Sequence, residues 1–283
     1  MPIINIYIYI SRRKIGKVLE FMNVGINLYA KFPYEEVIAA FLENGIDRTF
    51  VNIEHPQFEA AMHALKKAKI MVDNLHAPFK GQNVIWQEGE AGEAMLATFL
   101  KSVDSCVAYH IKVMVMHVSN SRPMPEIGKI GLKRFDKLMA YAKEKGVTIA
   151  FESHRYLENV SHMMERYPEA GFCLDTCHEH AFTPGLRYMP MWGDRLVATH
   201  ISDNDVVCDK DMHMLPFDGI VDFEETAREL AACKKDVTLM LEVKPGNHER
   251  YKDISIQKYY AAAAYSIKKL AAMVEAYRRQ ACL

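Results

Sequence analysis

No stretch of this 283-residue chain reaches the ~18 consecutive apolar residues that span a bilayer. The apolar opening MPIINIYIYI is followed, not preceded, by its basic residues SRRK, the reverse of a secretory leader. A soluble, cytoplasmic protein with no membrane partner is therefore expected. Net charge is lacking too: 35 Lys and Arg against 36 Asp and Glu leave −1, so no global field draws the chain to nucleic acid. The six cysteines, Cys106, Cys173, Cys177, Cys208, Cys233 and Cys282, show neither disulfide nor zinc-knuckle spacing, and a chain of this length needs no staples. A structural zinc site from Cys173, Cys177, His178 and His180 is disfavoured on the same ground. Linkers, low-complexity tracts and fixed-period repeats are also missing, which excludes a solenoid and leaves one domain.

What is present is a unit that recurs at variable length: a helical pattern, a turn residue, then a short apolar run. The runs fall at 26–30, 48–53, 70–76, 113–117, 148–152, 172–175, 196–200 and 238–242. Amphipathic stretches at 34–43, 57–67, 90–109, 127–145, 157–167 and 223–233 separate them, with a poorly marked one at 178–188 and a long closing helix near 254–279. Asn44-Gly45 and Lys145-Gly146 supply glycine stops. Eight strands alternating with helices over about 250 residues fit an α/β fold, the (β/α)8 TIM barrel, with a doubly wound open sheet as the alternative. Residues 1–22 read as an N-terminal extension, a strand or hairpin capping the barrel or pairing with a partner copy, and 23–283 as the barrel.

Six of the eight runs end in a ligand-type residue: His76, His117, Glu152, Asp175, His200 and Glu242. In a parallel barrel these ends share one mouth, where such folds place their reactive groups. Side chains two apart share a strand face, so Asn74, Val115, Ala150, Cys173, Ala198 and Met240 form the layer beneath, with Cys173 as packing. Imidazoles and carboxylates crowded together are costly to desolvate, and a divalent cation is their natural counter-charge. His178, three residues after Asp175, faces the same way if a helical turn begins there. Asp211-x-His213 puts two more donors on one face of a loop that Pro and Gly turn back over the pocket.

The set NLHAPF, VMHVS, FESHR, LDTCH, HISDND, DMHMLPFDGIVDF and LEVKP resembles the xylose-isomerase-like barrel superfamily from about residue 24 onward. That superfamily contains sugar isomerases and epimerases, inosose-processing enzymes and the abasic-site nuclease endonuclease IV. The resemblance implies a divalent metal (Zn, Mn, Co or Mg) on Glu152, Asp175, His200 and Glu242, with the two glutamates moving a proton to and from a sugar or sugar phosphate. It also implies a larger nuclease-type set in which His76, His117, His178, Asp211 and His213 join those four. His154, Arg155 and Lys244 occupy places where substrate contacts are expected, and Trp86 is expected as a lid over a sugar face.

The expected function is a metal-dependent sugar isomerase or epimerase with a small-molecule partner. A phosphodiester hydrolase of the endonuclease IV type and a cyclitol or keto-sugar dehydratase are the alternatives. Against the nuclease, the Gly-Ala-His-Val-Ser type opening is absent, and YAKFPYEE lacks the basic residues that grip DNA. The turn PFDG departs from the family's P-G-x-G form. A homo-oligomer through the IYIYI segment is a further expectation.

Overall fold

The computed structural model describes residues 22–205 and 210–281. Residues 1–21 of the N-terminal extension, the IYIYI segment included, Cys208 and Cys282 thus lie outside the described residues. Among these, Cys106, Cys173, Cys177 and Cys233 are free, and no helix is long and apolar enough to cross a membrane.

Eight parallel strands alternate with helices: β1 (Val24–Ile26), β2 (Arg48–Asn52), β3 (Met71–His76), β4 (Val113–Met116), β5 (Thr148–Glu152), β6 (Gly171–Asp175), β7 (Leu196–His200) and β8 (Leu239–Leu241). Between them run α1 (Tyr34–Glu43), α2 (Phe58–Lys67), α3 (Glu90–Ala108), α4 (Lys129–Lys145), α5 (Leu157–Arg166), α6 (Thr176–Phe182), α7 (Met189–Trp192) and α8 (Phe223–Cys233), and α9 (Ile256–Gln280) closes the ring against α1 and α8. β2 to β7 form a continuous parallel ladder, and β1 pairs β8. Two threonines help join these pieces. The Thr49 hydroxyl donates to the Ile26 carbonyl at 2.7 Å, and that of Thr199 donates to the Thr238 carbonyl and accepts from the Met240 N–H. Ile201 then completes the second seam by accepting from Glu242 and donating to Met240. The result is the closed TIM barrel that the alternation of runs and helices predicts.

Inside, Val115, Ala150, Cys173 and Ala198 make a buried cluster of their own, separate from the larger core between strands and helices. Small side chains in this layer leave depth for larger polar ones above. The expected glycine stops are there: Gly45 and Gly146 sit at φ +63° and +68°, where a Cβ would be strained.

Three elements differ from the sequence reading. The first strand is Val24–Ile26 rather than 26–30, because the Asn27 side chain takes over the pairing, accepting from the Val243 N–H (2.9 Å) and donating to its carbonyl (3.1 Å). The helix expected at 178–188 begins at Thr176 and ends at Phe182, since Asp175 caps it. A short 3-10 helix, Gln82–Trp86, was not anticipated, and it carries a correction. Trp86 is no lid: it is buried, its indole N–H donates to the Val118 carbonyl at 3.1 Å, and its ring lies 5.0 Å from that of Phe135. Gly131 on α4 leaves the room, because a Cβ there would come within 2.1 Å of the indole.

Candidate metal centre

His76, Glu152, Asp175 and His200 are the last residues of β3, β5, β6 and β7, while His117 and Glu242 follow β4 and β8 by one position. All six are buried at one mouth of the barrel. Asp175 also caps α6, its Oδ1 accepting the His178 N–H at 2.8 Å, so one carboxylate orients the first turn that carries His178. Asp211 and His213 come from the β7–α8 connection. That loop is held by the buried Asp203, whose carboxylate accepts the backbone N–H groups of Asn204, Gly219 and Val221 at 2.8 to 2.9 Å. Backbone bonds in both directions between Asp203 and Met214 add to this. Gly219 is required, since a Cβ there would lie 2.3 Å from the Asn204 carbonyl oxygen. The unusual PFDG turn is thus built around Asp203. His213 itself sits at φ +47°, a rare conformation for a side-chain-bearing residue.

Glu152 is the hub. Its Oε2 lies 3.1 Å from His76 Nε2 and 2.9 Å from His117 Nε2, and its Oε1 lies 2.8 Å from His200 Nδ1. Glu242 Oε2 reaches the same His200 Nδ1 at 3.2 Å. Asp211 Oδ2 lies 3.2 Å from His178 Nε2 and 2.5 Å from His213 Nε2. Donor atoms within 4.8 Å of one another define overlapping groups: Glu152, Asp175, His200 and Glu242; His76, His117 and Glu152; His178, Asp211 and His213.

The hydrogen bonds on the far side of these rings decide what they are built for. Nδ1 of His76 faces the Ala77 carbonyl (2.7 Å), that of His178 the Ser153 carbonyl (3.0 Å), and that of His213 the Glu242 carbonyl (3.1 Å). A carbonyl only accepts, so each Nδ1 carries the proton, and in the neutral ring Nε2 presents its lone pair. Each of those lone pairs points at a carboxylate oxygen 2.5 to 3.2 Å away. Two acceptors in that contact repel unless a proton or a cation lies between them.

The buried charges shift one another strongly. Burial alone would raise the Glu152 carboxyl, but His200 and His117 hold it well below the usual range. Glu242 is depressed against burial by Lys244 and His213, and Asp211 by His213 and His178. Asp175 goes the other way: burial, with Glu152, Glu242 and Asp211 nearby, raises it well above normal, and its Oδ2 has no hydrogen-bond partner. Burial lowers His117 to about 4, whereas Asp175 and Asp211 outweigh burial and lift His178 to about 10. Burial and the charges of His117 and His178 push His154 far down. Cys173 and Glu152 likewise hold His200 well above the usual imidazole range against burial. The cluster sets four carboxylates among imidazoles, and its donors are those that divalent ions take.

Of the other residues singled out in the sequence, Lys244 reaches Glu242 Oε1 (3.0 Å) and His213 Nε2 (2.5 Å). The Arg155 guanidinium stacks 3.9 Å above the Phe182 ring. His154 is buried at the centre, stacked on His117. Sequence reasoning missed two neighbours, Phe50, stacked on His200 at 4.2 Å, and Ser153, whose hydroxyl accepts the Asp175 N–H. Neither carries a ligand-type signal. Cys173, placed by parity beneath Asp175 as packing, does pack in the inner cluster, and it also lies close enough to Glu152 and His200 to join them as a donor.

The description xylose isomerase-like TIM barrel matches residues 26–270. The chain belongs to that family. It is 34% identical over 158 residues to the uncharacterized protein y4fM of Sinorhizobium fredii, covering 53% of this chain and 49% of that one, so it spans about half the length of this curated relative. Among solved structures, the IolI protein with a bound zinc atom is similar at TM-score 0.73, with 17% identity over 90% of this chain and 99% of that one. The D-allulose 3-epimerase of Methylomonas sp. is similar at TM-score 0.69, with 15% identity over 88% of this chain and 99% of that one. Identities this low speak for the fold alone.

Proposed function

We propose that this member of the family is a divalent-metal-dependent isomerase or epimerase acting on a sugar or sugar phosphate by proton transfer. The observation that carries the reading is the convergence of Glu152 and Glu242, from β5 and the end of β8, on one imidazole nitrogen of His200. Two carboxylates from different strands thus face one position, together with Asp175. The Asp175 Oδ2, which has no hydrogen-bond partner, and the donor atoms of Glu152, Asp175, His200 and Glu242 within 4.8 Å of one another fit a cation held by those four. A divalent ion there supplies Lewis-acid polarisation of the substrate's oxygens and acidifies the neighbouring C–H. One glutamate then takes the proton from carbon and the other returns it. Lys244 holds Glu242 ionised and oriented. A cavity of about 670 Å³, lined by Phe32, Lys210, Met212, Asn247, His248 and Tyr251, adjoins the loop carrying Asp211 and His213, and its size suits a small polar substrate. The solved structures of similar fold include a D-allulose 3-epimerase, so this fold is one on which such chemistry is found.

The test is solvent exchange. With a panel of ketopentoses and ketohexoses in deuterated water, wild type incorporates deuterium at the carbon next to the carbonyl, and Glu152→Gln and Glu242→Gln lose this by at least about 100-fold. Exchange retained in both variants sinks the two-glutamate mechanism.

A second reading, phosphoester hydrolysis, is favoured by one observation: the Glu152 oxygens serve different ligand groups, Oε1 toward His200 and Oε2 toward His76 and His117. A carboxylate so engaged holds rather than moves protons. Release of phosphate from sugar phosphates, or incision of an abasic duplex at low salt, with no deuterium incorporation, replaces the first reading with this one.

A further inference from the structure

His154 belongs to none of the three ligand groups used above, yet it sits between two of them. It is 5% exposed, its ring stacks on His117 at 4.1 Å and 30°, and it meets His178 edge-on at 4.7 Å. Donor nitrogens of these three rings lie within 4.8 Å of one another. Nδ1 of His154 and Nδ1 of His117 are both buried without a hydrogen-bond partner. Packing does not explain this: a phenylalanine would fill the same stack without leaving a buried nitrogen unsatisfied. Phe182 walls the position, stacked on His178 at 5.3 Å and 5.5 Å from His154.

We propose that His117, His154 and His178 form a further ion position, lined by imidazole alone, for a divalent ion of the zinc type. It rests on the reading that this mouth holds divalent ions, but not on the proton transfer. Zinc takes imidazole nitrogens at ~2.0–2.1 Å, so the His117–His154 stack opens as its nitrogens close onto an ion. Three neutral ligands leave the ion its full charge, unlike the carboxylate-rich group on Glu152, Asp175, His200 and Glu242. The position therefore suits an anionic oxygen of the substrate, such as a phosphate or enolate oxygen, and selects imidazole-preferring ions over magnesium.

The experiment is equilibrium dialysis of full-length protein against zinc, with His154→Phe, which keeps the ring stack, His154→Asn, and Glu242→Gln as a reference from the deeper group. Both His154 variants are expected to bind one zinc fewer than wild type, or to bind one at least about 10-fold more weakly, while Glu242→Gln loses a different ion. In wild type labelled with nitrogen-15 in histidine, zinc is expected to shift a His154 ring nitrogen. Unchanged number and affinity in both variants, or an unmoved His154 resonance, overturns the proposal and leaves the proposed function standing. No zinc bound by wild type also overturns the proposal, and the proposed function falls with it only if manganese, cobalt and magnesium fail to bind as well. The labelled wild type decides alone if neither variant folds.

Discussion

Asp203→Asn tests whether the loop that delivers Asp211 and His213 is held as described. The Asp203 Oδ1 accepts from Asn204 and Val221, and Oδ2 accepts from Gly219. An asparagine keeps one oxygen. The rotamer that saves the Oδ1 pair turns an NH2 group toward the Gly219 N–H, and the two saved bonds lose their ionic character. Each of those bonds weakens by about 1 kcal/mol, and a donor left facing a donor costs about 1–3 kcal/mol, so the loop is destabilised by about 4 kcal/mol. Met214 and Leu215 remain buried, so the loss appears first as local opening of the loop. Amide hydrogen exchange reads this directly at the donors. The Gly219 and Val221 amides should exchange about 1,000-fold faster, at about 1.4 kcal/mol per decade, and zinc affinity at the group holding Asp211 and His213 should fall with them. Exchange within threefold of wild type at both amides in a folded variant would refute the account of how the loop is positioned.

Two other outcomes follow from buried charge. Glu179, held by Arg187 (2.9 Å) and the Tyr188 N–H (2.8 Å), has its carboxyl raised by burial from 4.5 to about 7. The folded state therefore keeps a proton that the unfolded state has released, and stability falls as pH rises from about 4.5 to about 7, by at most about 3 kcal/mol. Glu179→Gln should flatten that part of the unfolding-midpoint profile; an unchanged slope removes Glu179 as its source. Removing divalent ions with a chelator should lower the melting temperature by about 10 °C relative to protein held at 1,000 times the dissociation constant of zinc. Identical melting curves would mean that the cluster holds no ion in the folded state.

The mouth was legible in the sequence because a barrel converts position into proximity: the last polar residue of each apolar run becomes a neighbour of the others. Parity made the floor legible as well, since Val115, Ala150, Cys173 and Ala198 lie two residues beneath His117, Glu152, Asp175 and His200. What stayed hidden depends on side chains that leave their expected roles. Asn27 pairs like backbone and ends β1 early. Asp175 is at once a strand end and a helix cap, and this moves the start of α6 two residues toward the N-terminus. Trp86 reads as an exposed aromatic in a loop, but the absent side chain at Gly131, 45 positions away, opens the slot that buries it. Nor does FESHR by itself say that His154 turns inward to stack on His117, because the strand ends at Glu152 and the alternation of faces ends with it.

Both chemical readings meet at Glu152 Oε2. If His76 and His117 are protonated at Nε2, they donate to that oxygen, the carboxylate is a weakened base, and its Oε1 side remains available beside Glu242. If instead they present lone pairs there, as the carbonyl on His76 Nδ1 favours, the three acceptors tolerate one another only around a cation. Glu152 is then fixed from both sides, and a proton taken from carbon would have to displace a ligand bond. On the proposed function, which ring nitrogen of His76 and His117 faces Glu152 Oε2 with its lone pair would decide whether the hub carboxylate moves a proton or only holds charge.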